Sequence, residues 1–253
     1  MDKNEQAIHT ARLTLKKVYA LWRLFKPLIP ARIYQHKKQQ LQQAKNNLAA
    51  ARDQVIIKKT LKELAVSVSH KQQKLAFLQI LAKLPHCSLP DVKKDLAKAK
   101  LILRETLAYL DKINLHAWPE LIASLTKSQQ QFVKRLHTTK TKKRATAFHN
   151  LRKSSKKLLY QLRFFEPFWP KDLKKTWKKI DLLQEQLGFE HDLVMTKEFL
   201  KNNPALVVDP QTKKQAIKCL AEKIKKLRHK CLQLAKINLG SGLNGTTLSI
   251  KLI

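Results

Sequence analysis

The chain has 253 residues, and its 52 Lys and Arg against 18 Asp and Glu leave a formal net charge of +34. Hydrophobic residues make up 43% of the sequence, which is enough for a folded core and excludes a disordered tail. Because so large a charge repels itself and costs stability, the composition favours a polyanionic partner over a generic solvated surface.

Glycine is scarce and unevenly distributed. Four glycines occur, and three of them lie in the last fourteen residues, at Gly240, Gly242 and Gly245. A chain rich in Leu, Lys, Ala and Gln with so few turn-forming residues is typical of long helices joined by short loops. The sequence therefore predicts an all-α fold.

The periodicity of apolar residues predicts helices in two series, over about 5–26, 31–60, 65–84, 90–114 and 119–139, and then over about 142–165, 171–202 and 211–238. A proline pair ends the first helix of each series, because proline cannot continue a helix. The first pair is Pro27 and Pro30, and the second is Pro167 and Pro170. The tail 239–253 is irregular, and the sequence leaves open whether it is disordered or a short strand.

A shift of 140 residues relates the two series. It places His9, Arg12, Lys16, Lys17, Arg23, Phe25, Pro27 and Pro30 on His149, Arg152, Lys156, Lys157, Arg163, Phe165, Pro167 and Pro170. After a gap of one residue, Leu48, Arg52 and Asp53 meet Leu187, His191 and Asp192. This register predicts an internal duplication with halves at 1–140 and 141–253, each a bundle of about four helices.

The cations of each leading helix share one face. At about 100° per residue they fall within a stripe about 60° wide that extends about 21 Å along the axis. In the first helix the stripe contains His9, Arg12, Lys16 and Arg23, and in its counterpart His149, Arg152, Lys156 and Arg163. Such a stripe is either a ligand-facing surface or a solvated face.

Acidic residues are missing around both stripes. Between Glu5 and Asp53 the sequence has ten Lys or Arg and no acid, and between Glu120 and Glu166 it has twelve and no acid. An ordinary solvated helix mixes signs, because opposite charges at i,i+4 stabilise it by a few tenths of a kcal/mol. The distribution favours the ligand-facing alternative.

The next helix of each series carries a polar residue on its apolar face. Arg52 shares a face with Leu48, and His191 shares one with Leu187, so both point inward. One hypothesis is a satisfied core arginine and histidine, with Asp53 and Asp192 as partners or caps. The other hypothesis puts Arg52 and His191 at the end of an anion site.

These motifs resemble the conserved histidine α-helical domain, the CHAD family. Its pattern of H-x2-R-x3-K, a proline-ended aromatic stretch and L-G-x2-H-D-L reads here as HNLRKSSKKLLY, FFEPFWP and LQEQLGFEHDLV. The stretches HTARLTLKKVYALWRLF and LAAARDQVI are similar to the family's N-terminal half. The resemblance implies two pseudo-symmetric four-helix bundles around a basic cavity, and binding of inorganic polyphosphate without catalysis.

The resemblance also implies the binding residues. They are His9, Arg12, Lys16, Lys17, Arg23 and Arg52 in the first half, and His149, Arg152, Lys153, Lys156, Lys157, Arg163 and His191 in the second. The family commonly has an arginine ten residues after the motif histidine, where this chain has Tyr19 and Leu159. The departure bears on affinity and on the preferred polymer length.

Two other functions remain as alternatives. Nucleic acid is also a polyanion, but the sequence has no zinc-finger or RRM motif, and its basic stripes lack the interleaved aromatics of a single-strand platform. A metal-dependent phosphohydrolase would need a carboxylate or histidine cluster, which the acid-free stretches do not supply; a phosphohistidine carrier is the other catalytic hypothesis. We expect no catalytic residue, no metal and no cofactor.

Cysteine use and hydropathy bear on the compartment. Cys87, Cys219 and Cys231 are odd in number and form no CxxC pair, which favours reduced thiols over disulfides. No uncharged apolar run reaches the roughly 18 residues of a membrane span, and the N-terminus lacks the apolar core of a signal peptide. We expect a cytoplasmic protein, with polyphosphate granules as one place where it would be found.

Overall fold

A computed structural model describes residues 3–84, 92–113, 118–168, 171–203 and 209–236. The side chains of residues 3–5, 50–52, 168, 171–173 and 236 lie outside the described part. This set includes Arg52, one of the predicted binding residues. The expectations for Cys87 and for the tail 239–253 also fall outside the described residues.

Helices dominate the described residues, which contain no β-strand, and the all-α prediction is confirmed. In chain order they are α1 (Lys3–Leu24), α2 (Ala31–Asn47), α3 (Ala49–Ser67), α4 (Lys71–Ala82), α5 (Val92–Leu110), α6 (Trp118–Lys142), α7 (Ala145–Phe164), α8 (Lys171–Asn202) and α9 (Pro210–Lys236). None of these helices combines the length and the apolar character that crossing a bilayer requires.

The leading helices α1 and α7 end in the same way. Each is followed by one short 3-10 turn, Lys26–Leu28 after α1 and Glu166–Phe168 after α7. Both turns contain a proline, Pro27 or Pro167, which has no backbone N–H to extend the α-helical hydrogen bonds. The helix ends predicted from the proline pairs are therefore confirmed.

The helix predicted over about 31–60 is interrupted at Leu48. There the backbone turns to φ −82° and ψ 7°, so that α2 ends at Asn47 and α3 begins at Ala49. Asn46 and Asn47 favour an end at this point, because asparagine side chains compete for backbone hydrogen bonds. The break also lets the Leu48 side chain enter the core, where it is 1% exposed.

The break affects how the helices divide. Six described helices begin before residue 140 and three begin after it, and α6 runs to Lys142, across the predicted boundary. The helix count alone therefore does not display two equal four-helix bundles. The duplication and the halves 1–140 and 141–253 stay predictions.

The larger apolar core surrounds α1. Trp22 is fully buried there, its indole N–H donates to the carbonyl oxygen of Tyr34 at 3.0 Å, and its ring stacks on that of Tyr34. Buried side chains from α2, α5, α6, α7, the first half of α8 and the end of α9 complete this core. Gln161 of α7 donates to the carbonyl oxygen of Ala20 at 3.0 Å, which ties α7 directly to α1.

A second apolar core joins the two predicted halves. Leu61 of α3, Phe77 of α4, Leu200 of α8 and Leu220 of α9 are fully buried in it. Helices from before and after residue 140 thus contribute to both cores. One layered helical unit results, in which α1 and α7 lie side by side.

Candidate functional site

The contact between α1 and α7 brings Arg23 and Lys157 together. Burial and the nearby positive charge of Arg23 lower the pKa of Lys157 to about 8. The Lys157 ammonium donates to the side-chain oxygen of Gln131 on α6 at 2.6 Å. Because an amide carries no net charge, this hydrogen bond orients the ammonium without neutralising it.

A second meeting of cations involves α1, α2 and α7. The Arg12 guanidinium donates to the backbone oxygen of Lys45 at 2.6 Å. Burial, the charge of Arg12 and the charge of Lys153 together lower the pKa of Lys45. Lys153 of α7 therefore lies near the α1–α2 contact, although it is distant from both helices in sequence.

The ring of Tyr19 helps to hold the Lys45 ammonium in this position. The Lys45 ammonium lies 5.6 Å from the centroid of the Tyr19 ring and donates to the side-chain oxygen of Gln42 at 3.0 Å. An aromatic face attracts an ammonium at this distance. A tyrosine at the position where the family often has arginine thus accommodates a cation from the neighbouring helix.

These residues form one cluster of cations where α1, α2 and α7 pack, which we call the cationic seam and define as Arg12, Arg23, Lys45, Lys153 and Lys157. Only cations and burial act on the pKa of its two half-buried ammoniums, Lys45 and Lys157. No carboxylate among the described residues contributes to either shift. The ammoniums of Lys45 and Lys157 are therefore held near other cations, and no carboxylate of the described residues offsets the cost of their charge.

His149 and His191 lie at one end of the same region. Their ring centroids are 4.9 Å apart, with an angle of 41° between the rings. Burial lowers the pKa of His149, and the charges of Lys153 and Arg152 lower it further. The inward direction predicted for His191 thus brings its ring against that of His149 of the stripe.

Acidic groups approach the second stripe from other parts of the chain. Glu190 of α8 is 3% exposed, and its charge lies near Arg152. Arg163 pairs with Glu166 at 3.4 Å, with both side chains largely exposed. The acid-free sequence around the stripe is therefore not free of acid in space, and Arg163 is less available to a ligand than its position on the stripe predicted.

The other predicted site residues differ in exposure. Arg12 is 8% exposed, and its hydrogen bond to the Lys45 backbone oxygen holds α2 against α1. It is therefore a buried structural contact more than an open surface charge. Lys16, Arg152 and Lys156 are half-buried, whereas the exposed members are His9, Lys17, Arg23, Lys153 and Arg163. Nothing is described of the Arg52 side chain.

Sequence reasoning missed Lys45. It lies four residues after Leu41 and three before Leu48, both fully buried, so it borders the apolar face of α2. A lysine in such a position keeps its stem against the core and its ammonium at the edge. This position at the border of the apolar face could have indicated a half-buried lysine from the sequence. It does not show which helix the Lys45 ammonium contacts.

Within the described residues, no group of three or more His, Cys, Asp or Glu side chains is arranged to hold a metal ion.

The fold and these motifs agree with comparisons to known proteins. The family model of the CHAD domain matches residues 1–201, and the chain belongs to this family. The crystal structure of the CHAD domain from the plant Ricinus communis superposes with a TM-score of 0.55 at 18% identity, covering 96% of this chain and 86% of that one. At this identity the likeness shows the fold alone. No curated protein matches the chain.

Proposed function

We propose that this CHAD-family chain binds inorganic polyphosphate along the cationic seam and the adjoining histidines, without catalysing its cleavage. Polyphosphate is a flexible string of closely spaced anions. Arginine forks and lysine ammoniums held by rigid helices can match such a string without recognising a sequence of monomers.

The observation that carries the proposal is the unneutralised charge at Lys45 and Lys157. Both ammoniums are half-buried beside other cations, and this arrangement disfavours their charged forms. An arrangement that costs stability in the free protein is typical of a site whose charge is compensated by a ligand. A polyanion contacting α1, α2 and α7 together would supply that compensation.

Nucleic acid is the competing ligand, and the state of the aromatic rings beside the cationic seam argues against it. Base stacking needs exposed rings, but Trp22 and Tyr34 are buried and Tyr19 is engaged by Lys45. We therefore expect RNA and DNA to bind only through their phosphates, and more weakly per phosphate than polyphosphate does. A cytoplasmic location beside polyphosphate granules remains part of the proposal.

Competition binding tests the choice of ligand. Labelled polyphosphate is displaced by unlabelled polyphosphate, RNA or duplex DNA at equal phosphate concentration and one stated salt concentration. We expect polyphosphate to compete at least about tenfold more strongly than either nucleic acid, about 1.4 kcal/mol. Equal competition by RNA would make the chain a general polyanion binder. Release of orthophosphate with Mg²⁺ or Mn²⁺ present would contradict the absence of catalysis.

Binding should be linked to proton uptake. In the free protein the pKa of Lys157 is about 8 and that of His149 lies below its usual range, mainly through burial. An anion beside them raises both pKa values, because it stabilises the protonated forms. We expect uptake near pH 8 from Lys157 and at lower pH from His149, so that affinity strengthens as pH falls.

Calorimetric titrations in two buffers of different ionisation enthalpy measure this uptake. The Lys157→Gln variant should lose the uptake near pH 8 and keep the uptake at lower pH, which assigns the two steps separately. If binding takes up no protons at either pH, the two residues do not contact the polyanion.

A further inference from the structure

A second cluster of cations lies where α6 turns into α7. A cavity of about 210 Å³ opens there between the end of α6 and the first turns of α7. Its polar lining consists of three cations and three neutral residues, namely Arg135, Lys142, Arg144, Thr138, Thr146 and Asn150. None of the three cations belongs to the cationic seam or to the two stripes.

The tight turn explains why these residues converge. Arg135, Thr138 and Lys142 are spaced by three and four residues, so they share one face of α6. Lys143 has a positive φ of 49°, a left-handed conformation that ends α6 and reverses the chain before α7 begins at Ala145. This reversal places the face of α6 opposite Thr146 and Asn150.

The cavity is lined by donors without an acid. Among the described residues, no carboxylate lines it, and none forms an ion pair with Arg135, Lys142 or Arg144. The Thr138 hydroxyl already donates to the backbone oxygen of Lys134 at 2.8 Å. The remaining donors are therefore the three cations with Thr146 and Asn150, a set that suits a multiply charged oxyanion.

Size narrows the class of ligand. The cavity far exceeds the roughly 10–15 Å³ that one water requires, yet it lies below the roughly 300–1,000 Å³ of pockets that enclose drug-sized molecules. A single tetrahedral phosphate group with its remaining waters fits that range, whereas an enclosed nucleotide does not. Arginine forks from both sides can each take two phosphate oxygens.

We infer that this corner cavity binds one phosphate group at a time, either free orthophosphate or the terminal group of a longer phosphate chain. The two sources present the same dianionic chemistry to the same donors. Only the second source rests on the proposed polyphosphate function, since a terminal group would come from a polymer bound nearby. The inference for orthophosphate stands independently of the cationic seam.

Titration of the whole chain with orthophosphate at constant ionic strength tests the inference. Heat or ³¹P line broadening should show saturable binding in the millimolar range or tighter. The double variant Arg135→Gln/Arg144→Gln should weaken it at least about tenfold, because it removes both forks. The control Lys174→Gln/Lys178→Gln changes the charge equally on exposed residues of α8 and should weaken it less than about twofold.

Two further experiments distinguish the α6–α7 cavity from the cationic seam and identify the source of the phosphate group. Replacing Lys45 and Lys157 by Gln should leave orthophosphate binding within about twofold of the unmodified chain, even if polyphosphate binding is lost or was never present. If the site takes a terminal group, linear triphosphate should displace orthophosphate, whereas cyclic trimetaphosphate, which has no terminal group, should not. If neither compound displaces it, the ligand of the cavity is free orthophosphate. Absence of saturable binding, or equal losses in the α6–α7 variant and the α8 control, would overturn the inference.

Discussion

Replacing Lys45, Lys153 and Lys157 by Gln is expected to lower the affinity for polyphosphate at least about tenfold, or 1.4 kcal/mol. Charge-assisted hydrogen bonds contribute about 1.5–3 kcal/mol each in favourable settings, although losses within one network need not add. The three residues come from α2 and α7 and lie near α1, so their replacement removes three of the five charges of the cationic seam. Titration with polyphosphate of defined length measures the change.

The matched control replaces Lys174, Lys178 and Lys179 by Gln. These lysines are exposed on α8. Both variants lose three positive charges, so a long-range field from the whole chain would weaken binding equally in each. We expect the control to lose only a few-fold, mainly through slower association at low salt. Equal losses in the two variants would show that bulk charge, not the seam, makes the site.

The same seam variant should be at least as stable as the unmodified chain in the absence of ligand. The folded-state pKa of Lys157, about 8, lies below the ordinary lysine pKa of 10.5, so the charged lysine costs stability at neutral pH. That cost fades as pH rises from about 8 towards 10.5, because the folded chain then holds fewer protons than the unfolded chain. After discounting for partial exposure, we expect a gain of about 1 kcal/mol at pH 7 and little gain at pH 10. Thermal unfolding at both pH values measures it.

Replacing Arg228 by Met is expected to destabilise the fold by about 3 kcal/mol at pH 7, because it leaves a buried carboxylate without its partner. Glu190 is 3% exposed, and two nitrogens of Arg228 each lie 2.7 Å from the same Glu190 oxygen. The guanidinium also lies 5.0 Å from the centroid of the Phe148 ring. For a chain of this length the loss corresponds to a fall in Tm of roughly 6–12 °C.

The double variant Arg228→Met/Glu190→Gln separates charge from packing. Glutamine removes the buried charge but keeps the shape, so most of the lost stability should return. Burial raises the pKa of Glu190, and loss of Arg228 should raise it further. A raised carboxyl pKa stabilises the fold below that pKa, so the single variant should be less impaired at pH 5 than at pH 7. If the double variant is as unstable as the single one, packing on Phe148 accounts for the loss.

Local sequence signals predicted the helices well where local hydrogen bonding decides. The ends of α1 and α7 follow from Pro27 and Pro167, since a missing N–H ends a helix in any tertiary context. The interruption at Leu48 was missed, and the break predicted at about 61–64 is wrong, because α3 continues to Ser67. Two asparagines before Leu48 weaken the helix, but the direction of the break depends on the core into which Leu48 packs.

Positions in the candidate site divide in the same way. Helical periodicity assigned residues such as Arg23 and His149 to one face, because that relation involves a single helix. It could not show that Lys45 approaches Arg12 and Lys153, or that Glu190 approaches Arg152, since each pair joins different helices. The pairing of Arg163 with Glu166, three residues apart on the chain, was available from the sequence.

By itself the sequence determined the all-helical class, the CHAD motifs, the proline-ended leading helices and an excess of positive charge on them. Only the tertiary structure decided which charges meet: Arg23 with Lys157, and His149 with His191. The reason is that helical hydrogen bonds and periodicity are set within a few residues, whereas the distance between two helices is set by the packing of both their apolar faces. Charge content is thus a property of this chain's composition, and the cationic seam is a property of how α1, α2 and α7 pack.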